Sequence, residues 1–182
     1  MAVTISGQIS RVKTFRLRPT FDACTGVALW KDTIVVSGVK DGMICWSVVS
    51  SQDGRPEELH NVCGGKYFNS LTVKHDMLYV SCPADSPDDR GVYGFNLLSP
   101  RQLPYTYKPG GLTFGITVDN IGHLFVCVWN SSIHHLTATC QLVAIYEDDV
   151  PSSPVAIFWD SGVLYLTSEY SHVITMYETP QQ

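Results

Sequence analysis

The stretch GITVDNIGHLFVCVWNSSIHHLT, from Gly115 to Thr137, decides the fold. It reads as strand, turn, strand, turn, strand. A short apolar segment runs to Val118, and Asn120, Ile121 and Gly122 form a turn with the glycine that tight turns favour. The next strand alternates, with Leu124, Val126 and Val128 on one side and Phe125, Cys127 and Trp129 on the other. Both sets are apolar. A strand with one wet face would show polar residues at every second position, so this one is read as buried on both faces between neighbouring sheets. After Asn130, Ser131 and Ser132 a third strand returns through Ile133 to Thr137.

The same grammar recurs in GVALWKDTIVVSGVKDGMICWS from Gly26, in SLTVKHDMLYVSCPADSPDDRGVYGFNL from Ser70 and in PVAIFWDSGVLYLTSEYSHVITMYE from Pro154. With Ile34, Leu78, Leu124 and Leu164 as equivalent anchors, the spacings are 44, 46 and 40 residues. That is the period of a four-stranded propeller blade. The segments PEELHNV, QLPYTY and QLVAIYE supply fourth strands in the gaps. No window carries a sustained helical period, and β-branched and aromatic residues dominate the strands. One blade cannot bury two apolar faces alone, whereas stacked blades share a continuous core. The expected fold is all-β: one β-propeller domain over residues 1–182, built of four-stranded antiparallel blades, with about four repeats near 26–68, 70–113, 115–151 and 154–179.

Closure of the ring is open at this level. The fourth repeat stops without an outer strand, while residues 1–20 carry VTISGQIS and KTFRLRP ahead of the first repeat. If KTFRLRP is the missing outer strand and pairs with VITMY, four blades close into a ring. Otherwise the chain is an arc of a larger propeller, and its end faces need cover from elsewhere.

Within the third repeat, Gly115, Ile116, Val118, Asp119, Gly122, Leu124, Phe125 and Val126 fit the NHL repeat. The fourth repeat fits through Pro154, Ala156, Gly162, Leu164, Tyr165, Ser171, His172, Val173 and Ile174. The chain thus resembles the C-terminal propeller of tripartite-motif NHL proteins. Cys127 and Val128 depart from the family's Ala-Asp, and the arginine of its Asn-His-Arg-Ile signature is missing. The resemblance implies a truncated member, four blades of a six-bladed arc, that binds protein or RNA on a loop face. Any ubiquitin-ligase activity would reside in RING and B-box parts that the repeats do not contain.

Composition narrows the function classes. Hydrophobic residues make up 45% and charged residues 16%, which is a globular balance. A net charge of −5 argues against general nucleic-acid binding, and Arg11, Lys13, Arg16 and Arg18 read as a solvated strand edge. The N-terminus lacks the apolar core of a signal peptide, and the uncharged run from Asn120 to Tyr146 is too broken by polar residues to cross a membrane. The six cysteines show no CxxC pair and are read as reduced thiols of a cytoplasmic protein.

The cluster of His123, His134, His135, Cys127 and Cys140 raises the question of zinc, which needs three or four ligands on one point. His134 and His135 are neighbours on a strand and so point to opposite faces. A structural reading is preferred, with no metal and no cofactor. Asp88-Asp89 and Asp148-Asp149 read as solvated loop pairs, and no GxSxG, HExxH or P-loop is present. A channel cation of the lactonase type would draw on Asn69, Asp119 and Asp160, which share no repeated position. The loops from second to third strand and those from blade to blade share one end of an up-and-down blade. Lys40, Lys66, Tyr67, Arg90, Phe114, Trp129 and Tyr170 gather there, the aromatic and arginine types that binding hot spots use. The expected function is a non-enzymatic interaction module that binds a protein partner through this loop face, without a membrane or small-molecule substrate. The alternatives are an RNA-binding surface and a propeller hydrolase.

Overall fold

The computed structural model describes Leu17 and residues 20–50, 52, 54–65, 70–102, 104–129 and 131–178. Among these residues the chain forms strands only, in four antiparallel sheets. Blade 1 holds β1 (Ala23–Trp30), β2 (Thr33–Lys40), β3 (Met43–Ser50) and β4 (His60–Gly64). Blade 2 holds β5 (Leu71–Lys74), β6 (Met77–Cys82), β7 (Gly91–Asn96) and β8 (Tyr105–Tyr107). Blade 3 holds β9 (Thr113–Val118), β10 (Leu124–Val128), β11 (Ser132–Leu136) and β12 (Leu142–Tyr146). Blade 4 holds β13 (Pro154–Asp160), β14 (Val163–Ser168) and β15 (Thr175–Glu178). Each sheet is a meander in sequence order. The innermost strands β1, β5, β9 and β13 pack in succession, and no comparable packing among the described residues joins β13 back to β1. Among the described residues the fold is a partial β-propeller, open between its first and last blades.

Local chemistry sets the registers. Asp41-Gly42 joins Lys40 to Met43, and Ser161-Gly162 joins Asp160 to Val163, with both turn residues at positive φ in each case. Two-residue turns of this kind match strand twist and favour Asp or Ser before Gly. The strands so aligned are apolar on both sides, and the core lies between the sheets. Leu71, Leu78, Val80 and Phe95 meet Val35, Ile44 and Trp46 between blades 1 and 2. Ile116, Leu124, Val126 and Leu136 meet Tyr79 and Val92 between blades 2 and 3. Ile157, Leu164 and Leu166 meet Phe125, Cys127 and Ile133 between blades 3 and 4.

Polar pins cross each of these seams. Trp30 Nε1 donates to Asp76 Oδ1 at 3.1 Å, and Lys31 Nζ lies 2.8 Å from the same oxygen. The Tyr79 hydroxyl donates to the Ala138 carbonyl at 2.9 Å. The Trp159 amide donates to Thr117 Oγ1 at 3.1 Å.

Cys63 of β4 and Cys82 of β6 are joined by a disulfide, Cα to Cα 6.8 Å, across the seam between blades 1 and 2. This corrects the reading of all six cysteines as thiols, and with it the premise on which a reducing compartment was expected. The two residues lie 19 apart with no motif between them, so only the stacking of the blades brings them together. Cys24, Cys45, Cys127 and Cys140 are free, and burial pushes the Cys45 thiol up to about 11 and that of Cys140 up to about 12. Of the stretch KTFRLRP, Leu17 packs on blade 1 beside Phe21, and the proposed pairing with VITMY lies outside the described residues.

Two measurements check this arrangement. A thiol reagent should titrate the exposed Cys24 in the native protein and four thiols after denaturation without reductant; six after denaturation would mean that the Cys63–Cys82 bond is open. The inner strands also approach closely at Gly115, where a Cβ would stand 2.7 Å from the Val155 carbonyl oxygen and 2.8 Å from the Ile157 nitrogen. Neither backbone atom can rotate away. Gly115→Ala should therefore lower stability by about 1–3 kcal/mol, read as a lower urea midpoint.

Candidate functional site

A cleft of about 510 Å³ opens between blades 3 and 4. It runs from the turns at Asp119–Ile121 and Ser161–Gly162, past Phe125, His135 and Tyr177, to the segment from Tyr146 to Val150. Its position follows from the strand count. Blades 1 to 3 each carry a fourth, outer strand, whereas among the described residues nothing pairs with the outer edge of β15. The part of blade 3 that a fourth strand of blade 4 would overlie is left uncovered there.

The walls are aromatic and the rim is acidic. His135 lies within the wall, stacked on Phe125 with ring centroids 4.6 Å apart. Its Nε2 is 2.9 Å from His123 Nδ1, and its Nδ1 is 3.5 Å from the Tyr146 hydroxyl. Either tautomer serves both contacts: Nε2–H donates to His123 while Nδ1 accepts from Tyr146, or Nδ1–H donates to the Tyr146 oxygen while Nε2 accepts from His123. Burial is the first cause that lowers the His135 pKa; the neighbouring His123 adds to it and Asp119 opposes it. Asp119 is buried, and its Oδ1 accepts the amides of Ile121 at 3.0 Å and His123 at 2.8 Å. Asp148 and Glu178 are exposed at the mouth. The Tyr177 hydroxyl bridges the seam to the Asp149 carbonyl at 2.6 Å.

His134 takes the other side of the same sheet. Its Nδ1 is 2.7 Å from the Tyr107 hydroxyl of blade 2, and its Nε2 is 3.1 Å from Ser132 Oγ. The two adjacent histidines thus serve different seams, as their places on a strand require. Among the described residues no three His, Cys, Asp or Glu side chains converge as metal ligands. Of the channel-cation set, Asp119 is engaged by backbone amides, Asp160 Oδ1 accepts from the Ser161 hydroxyl at 3.0 Å, and Asn69 lies outside the described residues.

Several of the loop-face residues are engaged within the chain. Lys40 pairs with Asp22 at 3.3 Å. Arg90 donates to the carbonyls of Ala84 at 2.9 Å and Asp85 at 3.1 Å, bracing its own loop. Phe114 and Trp129 pack on one another with centroids 5.4 Å apart. Tyr170 is exposed, whereas Lys66 and Tyr67 lie outside the described residues. Sequence reasoning missed the cleft because its lining comes from five separated segments, and only the abrupt end of the fourth repeat pointed toward it.

No protein-family model matches the chain, and no curated protein matches its sequence. Solved structures match its fold. The computationally designed Ika4 protein superposes with a TM-score of 0.66 at 14% identity, over 96% of this chain and 99% of that one. The Cps50 (Swd1) β-propeller domain of Myceliophteria thermophila gives 0.65 at 15% identity, over 86% of this chain and 54% of that one. Glutaminyl cyclase of Myxococcus xanthus gives 0.59 at 14% identity, over 85% of this chain and 65% of that one. The chain is a β-propeller by fold and spans little more than half of Cps50 and about two thirds of the cyclase. These propellers include an enzyme, and at such identity the likeness carries the fold alone.

The buried histidines give a testable pH dependence. His134 and His135 both have pKa values lowered from 6.5, with burial the first cause. The unfolded chain therefore takes up protons first as pH falls through that value, and stability declines with it. The urea midpoint should drop between pH 7 and pH 5, and His135→Gln should flatten that drop while lowering the midpoint at pH 7.

Proposed function

We propose that the chain is a non-enzymatic interaction module that binds an extended, basic segment of a protein partner at the cleft between blades 3 and 4. The observation that carries this reading is the combination of an aromatic-walled, acid-rimmed cleft with an edge of β15 that has no strand partner among the described residues. A strand edge presents unpaired amides and carbonyls that an incoming strand can take up. Phe125, Tyr146, Trp159 and Tyr177 offer ring faces and apolar area, and Asp148 and Glu178 offer charge to a lysine or arginine. The same chemistry disfavours RNA, whose phosphates need Lys and Arg beside the stacking rings. At the loop face, Lys40 and Arg90 are already engaged within the chain, which supports the cleft over that face. The NHL-like third repeat supports placing the module among NHL propellers, a resemblance that implies binding of protein or RNA.

The test uses three labelled probes in fluorescence anisotropy: a short peptide alternating Arg or Lys with apolar residues, its Asp/Glu counterpart, and a poly-uridine RNA. The basic peptide should bind in a salt-sensitive manner, and the acidic peptide and the RNA should not. The charge reversal Asp148→Lys with Glu178→Lys should weaken binding roughly 3- to 10-fold. A preference for RNA, or peptide binding unchanged by the charge reversal, would overturn the reading.

A further inference from the structure

The three seams within the chain define one interface repeated three times. Register makes its positions equivalent. On the side of each blade that meets its predecessor, Leu71 pairs with Val80, Ile116 with Val126 and Ile157 with Leu166. The matching pair in blade 1 is Val27 with Val36. Leu71, Ile116 and Ile157 are 9%, 4% and 8% exposed, whereas Val27 is 70% exposed. Its neighbour on that face, Leu29, is exposed as well, although Val73, Val118 and Trp159 at the same position are partly covered.

The opposite side shows the complementary gap. On the face that meets the successor, the cross-strand rows are Ala28–Val35–Val48, Thr72–Tyr79–Gly94 and Thr117–Phe125–His135, and each lies under the next blade. The equivalent row of blade 4 is Phe158–Tyr165–Met176. There Phe158 is 63% and Met176 66% exposed. The chain therefore carries both halves of its own inter-blade interface, one on each end, and the inner-strand part of each is exposed.

We propose that a second copy of this chain docks head to tail on these faces, with Phe158, Tyr165 and Met176 of one copy against Val27 and Leu29 of the other, so that two open arcs close one ring. The argument is continuity with an interface built three times within the chain. Tyr165 stands where Val35, Tyr79 and Phe125 meet a successor, with the larger Phe158 in place of Ala28, Thr72 and Thr117, and Val27 with Leu29 stands where Leu71 with Val73, Ile116 with Val118 and Ile157 with Trp159 meet a predecessor. Leu17 and Phe21 already cover the outer part of the blade 1 face, where Phe21 packs with Val36, Cys45 and Val49. The contact thus falls on the inner strand, where successive blades approach most closely. A heterologous contact of this kind closes into a ring when its rotation permits, and closure removes both exposed faces together.

Sedimentation or light scattering of the 182-residue chain tests this. The expected species has twice the mass of the chain. Leu29→Glu and Phe158→Glu replace exposed side chains, so the β-sheet circular dichroism should persist while each variant alone falls to half that mass. An equimolar mixture of the two variants should regain the doubled mass, because one copy retains an intact blade 4 face and the other an intact blade 1 face. A monomeric parent chain, a dimer indifferent to both substitutions, a mixture that stays monomeric, or assembly beyond two copies would each overturn the proposal.

Discussion

Everything in this molecule depends on sheets that are apolar on both faces. Leu124, Val126 and Val128 look toward blade 2, while Phe125 and Cys127 look toward blade 4. A single such sheet in water would leave one of those sets wet. At about 25 cal/mol per Å² of apolar surface removed from water, stacking is the only arrangement that gives both sets a favourable environment. The polar pins and the disulfide act on seams that this burial has already formed. Trp30 reaches Asp76, and Cys63 meets Cys82, because blades 1 and 2 are pressed together.

Close stacking in turn constrains side-chain size at the inner strands. The residues just before the equivalent inner-strand positions Val27, Leu71, Ile116 and Ile157 are Gly26, Ser70, Gly115 and Ala156, all small. At Gly115 the backbone of β13 occupies the space that a side chain would take. A propeller centre is crowded because successive strands converge on one axis, while the periphery fans out. The spare volume therefore lies at the outside of the seams. The fourth strands fill it between the earlier blades, and the cleft marks the seam where one is not seen among the described residues.

The fold was legible in sequence because its signal is local and repeated. Ile34, Leu78, Leu124 and Leu164, chosen by spacing, occupy equivalent pairs with Leu29, Val73, Val118 and Trp159 in the structure. The separation of His134 from His135 followed from strand geometry alone. What sequence could not supply was anything that depends on contacts between blades. Cys63 and Cys82 share no motif. Lys40 and Arg90 read as free charges at a docking face, and their partners, Asp22 and the carbonyls of Ala84 and Asp85, are not visible in a pattern of residue types. The cleft was hidden for a related reason. It is lined by residues whose local patterns are those of ordinary strands and turns, and it exists because of what lies beside them.

The histidines show how such a repeat acquires individual features without losing its frame. The position of His135 is held by Val48 in blade 1 and Gly94 in blade 2, so the frame tolerates a small residue, an aliphatic one or an imidazole. In blade 3 the imidazole stacks on Phe125 and links His123 to Tyr146, giving a largely apolar seam a hydrogen-bonded wall. That wall faces the cleft. A seam sealed by an outer strand would gain only packing from this change. An open seam gains a surface with ring faces, two imidazoles and nearby carboxylates. A substitution inside this seam can be reached from outside because, among the described residues, no fourth strand of blade 4 covers it.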